Sequence, residues 1–114
     1  MQYLLLIYGD EKQYGGMDEA AHSKMQKAYM DFGKEFARQI RGGNALQPTA
    51  TAKTIRVRNG KTSVTDGPFT ETKEQLGGYY LVEAKDADEA AAVASKIPGA
   101  SQGSVEVRPI WIVS

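Results

Sequence analysis

The run Tyr3-Leu4-Leu5-Leu6-Ile7-Tyr8 constrains this chain most. A strand with one wet face alternates apolar and polar residues, and this one is apolar on both alternations. Both of its faces therefore need cover. Helices can supply one cover; the other must come from elsewhere in the chain or from a second molecule. The run is far short of the roughly 20 apolar residues of a membrane span. It also lacks the basic flank and long apolar region of a signal peptide. We expect no membrane segment and a cytoplasmic location.

The rest of the chain reads as alternating elements. Gly9 to Gly16 is polar and glycine-containing, which predicts a loop. From Asp18 to Arg41, Ala21, Met25, Ala28, Phe32, Phe36 and Ile40 recur every three or four residues, one face of an amphipathic helix. Asp18 can cap its start. Arg38 and Arg41 suit its C-terminal dipole, and Gly42-Gly43-Asn44 supplies a stop. Thr51 to Arg58 and Thr62 to Thr65 flank Asn59-Gly60, a pair suited to the type I′ turn of a hairpin. Gly78 to Ala84 is a further strand. Asp86 to Glu89 resembles a capping box opening an alanine-rich helix that runs to about Lys96, ended by Ile97-Pro98-Gly99. Val105 to Val113 closes the chain as a strand.

Strand, long helix, hairpin, strand, short helix, strand is the order of a split βαβ unit. We expect one α+β domain over residues 1–114, ferredoxin-like, with both helices on one face of an antiparallel sheet. The other face must meet water or a second molecule. The unbroken apolar character of Tyr3–Tyr8 and the apolar end Ile110-Trp111-Ile112 favour a homodimer packed sheet to sheet.

Fourteen basic residues balance fourteen acidic ones, against the basic excess of a nucleic-acid module. Without cysteine there is no thiolate nucleophile or thiolate metal site. One histidine, His22, cannot build a histidine metal cluster or, without further signal, a Ser–His–Asp triad. His22 sits in a stretch that reads as exposed helix surface, and Met17, Met25 and Met30 read as core. We expect no metal and no cofactor.

The charged residues between Asp66 and Glu74 are the candidates for chemistry. Asp66-Gly67-Pro68-Phe69 is a turn in which proline sets a corner and pushes Gly67 toward extended backbone. Asp66 can bond amides two residues on, or stand at a strand end as a base or anion. Thr70 to Leu76 can make a short helical turn that groups Glu71, Lys73 and Glu74. Close carboxylates can tune one another for acid–base work, or the turn can simply be solvated. Arg56, Arg58, Glu83, Glu106 and Arg108 alternate with apolar residues and can share the sheet face away from the helices, either as an ion-pair ladder at a dimer seam or as a polar pocket. In such a pocket Arg108 could clamp a carboxylate or oxyanion, with Tyr8, Tyr79 and Tyr80 lining it.

The segments "YLLLIYGDE", "TDGPFTETKEQLGGYYLVEA" and "SVEVRPI" together resemble the DGPF branch of the YciI-like (YCII-related) family over essentially the whole chain. The resemblance implies a ferredoxin-like fold and a dimeric α/β-barrel assembly. It also implies kinship with a group that includes small monooxygenases and muconolactone isomerase-like enzymes. Bacterial members often resemble proteins linked to extracytoplasmic-function sigma factors, which implies an accessory role with a regulator as partner. Better-defined YciI proteins carry a His–Asp pair. The candidates for it here are His22 and Asp31, about 13 Å apart along one helix axis, which is no dyad within a straight helix.

The expectation is a homodimeric, cofactor-independent protein that binds a small polar or aromatic metabolite and acts by acid–base chemistry. Asp66 would be the catalytic base or proton shuttle. Arg108 or Lys73 would hold negative charge, with Tyr8, Tyr79 and Glu74 as further binding residues. The alternative is a non-catalytic sensory or interaction module for sigma-factor-type regulation, without direct contact to nucleic acid.

Overall fold

The structure is a computed structural model and describes residues 1–112. Val113, the last residue of the expected final strand, lies outside the described residues. In chain order the elements are β1 (Gln2–Gly9), α1 (Glu11–Gly15), α2 (Glu19–Glu35), β2 (Ile40–Ala45), β3 (Lys53–Arg58), β4 (Lys61–Asp66), β5 (Gln75–Glu83), α3 (Ala87–Ala94) and β6 (Ser104–Pro109). Short 3₁₀ turns occupy Thr49–Thr51 and Pro98–Ser101.

Four strands form an antiparallel sheet in the order β2-β5-β1-β6. Counted along the chain without the hairpin, that is second, third, first, fourth, the split βαβ plan. β1 is central, which is why Tyr3–Tyr8 is apolar throughout. Tyr3 and Leu5 lie opposite Val82 and Tyr80, and they meet Phe32 of α2 and Ala90, Val93 and Ala94 of α3 in one core. The intervening Leu4 and Leu6 pair with Leu81 and Tyr79 on one side and with Arg108 and Glu106 on the other. That face carries no helix, and its leucines are half-buried.

Four predicted elements differ. The long helix ends at Glu35, not Arg41, with Phe36 at its C-cap. Ile40 to Ala45 is an edge strand on β5. Glycine is there for close approach: a Cβ on Gly43 would lie 2.7 Å from the Tyr79 carbonyl oxygen and 2.8 Å from Tyr80 Cδ1. Gly42-Gly43 therefore belongs to the sheet, and it is not a helix stop. The expected loop Gly9–Gly16 contains α1, capped by Asp10 Oδ1 on the Lys12 amide at 2.9 Å. The hairpin β3–β4 has its Asn59-Gly60 turn with positive φ at both residues, yet it is a separate two-stranded sheet. It projects as an arm. Val105–Val113 shortens to β6, and Trp111 and Ile112 follow it exposed.

The caps agree with their sequence signals. The Ala21 amide bonds Asp18 Oδ1 at 2.8 Å and the Glu89 amide bonds Asp86 Oδ1 at 2.9 Å. The return bond of the second box goes from the Lys85 amide to Glu89 Oε1, one residue earlier than the standard pattern.

Candidate functional site

A cleft of about 770 Å³ opens between α1, α2 and the end of the sheet, within the usual range for small-molecule sites. Its geometry begins with the periodicity of α2. Glu19, His22, Ser23, Gln26 and Tyr29 fall at intervals of three and four residues, so they form one stripe, and all line the cleft. The core stripe through Phe32 lies beside it. α1 closes one side with Tyr14, and β1 and β5 supply the floor around Tyr8–Gly9 and Gly77–Tyr80.

His22 is half-buried here, not a free surface residue. Its ring stacks on Tyr14, with centroids 4.7 Å apart and planes 18° from parallel. Its Nε2 lies 2.8 Å from the Tyr14 carbonyl oxygen. A carbonyl only accepts, so Nε2 carries the hydrogen and donates it. That leaves Nδ1 of the neutral ring as a proton acceptor.

Deeper in, the Gly99 amide donates to the Tyr29 hydroxyl at 3.2 Å. The oxygen is occupied as an acceptor, and its own proton stays free to donate. Burial pushes the Tyr29 phenol above its usual pKa, partly offset by the Gly99 amide and reinforced by Tyr14. Tyr80, tilted against Phe32 at 5.0 Å, is raised by burial and then by Tyr29. Both are held as neutral hydroxyl donors. Glu11 anchors the rim: its two carboxylate oxygens accept from the Thr49 amide and hydroxyl at 2.8 and 2.9 Å.

The residues singled out in the sequence divide between other surfaces. Tyr8, Tyr79, Glu83, Glu106 and Arg108 lie on the open sheet face by strand register. There Arg108 Nη2 pairs with Glu106 Oε2 at 2.5 Å, which raises the guanidinium pKa. Asn44 Nδ2 donates to the Tyr79 hydroxyl at 2.9 Å. Tyr8 and Tyr79 reach the cleft wall as well. Glu74 accepts from the Ser104 hydroxyl at 2.8 Å, tying the loop before β5 to the start of β6.

Asp66 stands at the base of the arm, where Lys53 Nζ lies 2.6 Å from its Oδ1 and its side chain is 83% exposed. It takes Lys53 instead of the amides two residues on. Neither Asp66 nor Lys73 lines the cleft. Gly67 has φ +97°, a conformation open to glycine, and not the extended backbone expected before proline. Thr70 to Leu76 forms no helical turn; Thr72 Oγ1 bonds the Glu74 carbonyl instead. Arg56 and Arg58 sit on the arm, away from the main sheet. Asp31 is exposed and pairs with Lys27 at 3.5 Å, so it makes no dyad with His22.

Sequence reasoning passed over Glu19, Gln26 and Tyr29, and read His22 as exposed helix surface. Their signal was present: a second stripe on α2, polar and aromatic, offset from the apolar one. Among the described residues, no group of three or more metal-ligating side chains occurs, and no helix is long and apolar enough to cross a membrane.

Helices on one face of a split βαβ sheet, with a tyrosine-lined cleft at its end, define a small α+β protein with a ligand-sized site. The chain belongs to the YCII-related domain family, whose model matches residues 1–114. It is 39% identical over 119 residues to an uncharacterised protein, R00369, of Rhizobium meliloti (strain 1021), covering 96% of this chain and 92% of that one. Its fold is similar to that of 5-chloro-2-hydroxyhydroquinone dehydrochlorinase from Burkholderia phenoliruptrix AC1100, solved in complex with 2,5-dihydroxybenzoquinone. The TM-score is 0.56 at 13% identity, over 97% of this chain and 94% of that one.

Proposed function

We propose that this protein binds a small ring-bearing metabolite in the α2 cleft and acts on it by cofactor-independent acid–base chemistry. The observation that carries the reading is the His22–Tyr14 pair at the cleft wall. One ring nitrogen is committed to a carbonyl, so the other is a single defined proton acceptor. Neutral hydroxyls of Tyr29 and Tyr80 complement it as donors to a developing oxyanion. The similarity in fold to a dehydrochlorinase is consistent with a ring-sized ligand. In this reading His22 takes the place proposed from sequence for Asp66, and Asp66 serves the arm.

The assembly is a homodimer of the dimeric α/β-barrel type. Three observations support it. The radius of gyration is 16.1 Å, against about 13 Å for a compact chain of this length. Ile55, Val57 and Val64 on the arm are each more than half exposed, although a lone two-stranded hairpin has little stability of its own. No helix among the described residues covers the sheet face bearing Leu4, Leu6 and Leu81. A second copy would bury both surfaces and enclose the Glu106–Arg108 pair at the seam.

Incubation with a metabolite extract followed by native mass spectrometry tests the function. The expected result is selective retention of ring compounds, lost in His22→Ala and Tyr29→Phe. Retention unchanged in both variants would remove the cleft from consideration.

A further inference from the structure

The cleft has a sign. Its lining includes the acidic residues Asp10, Glu11 and Glu19 and, among the described residues, no lysine or arginine. Asp10 and Glu11 are bonded by neutral donors: the Lys12 amide for the first, the Thr49 amide and hydroxyl for the second. Such bonds satisfy lone pairs without cancelling charge. Glu11 and Glu19 are first-turn residues of their helices, where the dipole favours an acid. A helix terminus contributes only about half an elementary charge, so the wall remains negative. Of the two cations proposed from sequence to hold negative charge, Arg108 belongs to the open sheet face and is paired with Glu106, and Lys73 does not line the cleft.

The three carboxylates are not equivalent. Among the described residues, Glu19 has neither a hydrogen-bond nor an ion-pair partner for its side chain, and it is exposed at the mouth. His22 follows one turn later, about 4.5 Å further along the axis, with Tyr14 stacked on it. Tyr29 lies two turns deeper. From mouth to floor, the stripe therefore presents a free carboxylate, a stacked pair of ring faces and a neutral hydroxyl donor. Ring faces attract cations as well as other rings.

We propose that the cleft selects a cationic ring compound: an aromatic or heteroaromatic molecule with an ammonium group about two carbons from the ring. The ammonium is held by Glu19 and the ring lies against Tyr14 and His22. Anionic rings are disfavoured because no counter-charge awaits them. This inference rests on the reading of the cleft as the ligand site.

Three probes that share a phenol ring and differ in side-chain charge separate the two ideas: tyramine, 4-ethylphenol and 4-hydroxyphenylacetate. Each is titrated into the nitrogen-15-labelled full chain while the cleft amides are followed by NMR. Tyramine should bind about tenfold more tightly than 4-hydroxyphenylacetate, with 4-ethylphenol between them. Added salt should compress that spread. Glu19→Gln should bring tyramine close to 4-ethylphenol while leaving 4-ethylphenol unchanged. If 4-ethylphenol binds and tyramine binds no better, or if the anion binds best, the charge selection is overturned and the ligand cleft stands. If Glu19→Gln leaves the tyramine preference intact, the role of Glu19 is overturned. If none of the three shifts a cleft amide, the cleft reading and this inference fall together.

Discussion

The Tyr29 hydroxyl accepts the Gly99 amide at 3.2 Å, joining the middle of α2 to the 3₁₀ turn that precedes β6. A Cβ on Gly99 would lie 2.7 Å from that oxygen and 3.3 Å from Ile7 Cγ2, so the glycine keeps the contact possible. Gly99→Ala should drive the phenol out of place and cost about 1–3 kcal/mol by overpacking. Tyr29→Phe should cost about 1–2 kcal/mol by orphaning a part-buried amide. Denaturant melts of both variants check the pair; Gly99→Ala stability equal to wild type would mean that Tyr29 can swing aside freely.

Gly43 makes an independent demand. Its missing Cβ leaves room for the Tyr79 carbonyl and the Tyr80 ring. Gly43→Ala should loosen β2 from β5 and destabilise the chain by about 1–3 kcal/mol. Amide exchange should quicken in β2 and the facing part of β5 more than in β6, which is the readout that separates local edge loss from general instability.

Alkaline pH should unfold this protein in a defined direction. The folded-state pKa values of Tyr29 and Tyr80 are raised above 10.0, chiefly by burial. A phenol with a raised folded-state pKa contributes stability that is fully present below the unfolded value. That contribution is lost as pH rises through the folded value. Stability should therefore fall as pH climbs above about 10. Titration of phenolate absorbance should show late groups among the six tyrosines, and Tyr29→Phe should remove one of them.

The arm offers a test of assembly. Ile55 and Val64 face each other across β3 and β4 and are 56% and 58% exposed. Replacing both with threonine keeps β-branching and removes the apolar surface. Sedimentation should then show a dimer weakened at least about tenfold, with far-ultraviolet circular dichroism unchanged. An unaltered dimer would place the interface elsewhere.

Asp66→Asn removes a contact between two largely exposed groups, Lys53 and Asp66. Its cost to stability should be no more than about 1 kcal/mol. Ligand retention in the cleft should persist, in contrast to His22→Ala. Loss of retention with Asp66→Asn alone would restore Asp66 as the reacting group and imply that a second copy brings it to the site.

Local signals determined much of this protein. Asp18 and Asp86 mark helix starts because a carboxylate can bond amides within its own turn. Asn59-Gly60 marks a hairpin because few other pairs adopt positive φ twice. The apolar run Tyr3–Tyr8 marks a central strand because burial on both faces erases alternation. These interactions close within a few residues or within one strand, so the order of residues encodes them directly. Tertiary structure alone decided the rest. Ile40–Ala45 reads as a helix end because glycine permits many conformations; only the approach of Tyr79 and Tyr80 selects a strand. His22 reads as surface because Tyr14, which stacks on it, belongs to α1 and reaches it only when the chain turns between α1 and α2. The Asp66 carboxylate finds Lys53 on the facing strand, at a distance fixed by hairpin register. A side chain's partner across space depends on where whole elements dock, and that is set by the packing of Leu5, Phe32 and Val82 in the core, not by the neighbours of His22 or Asp66 in the chain.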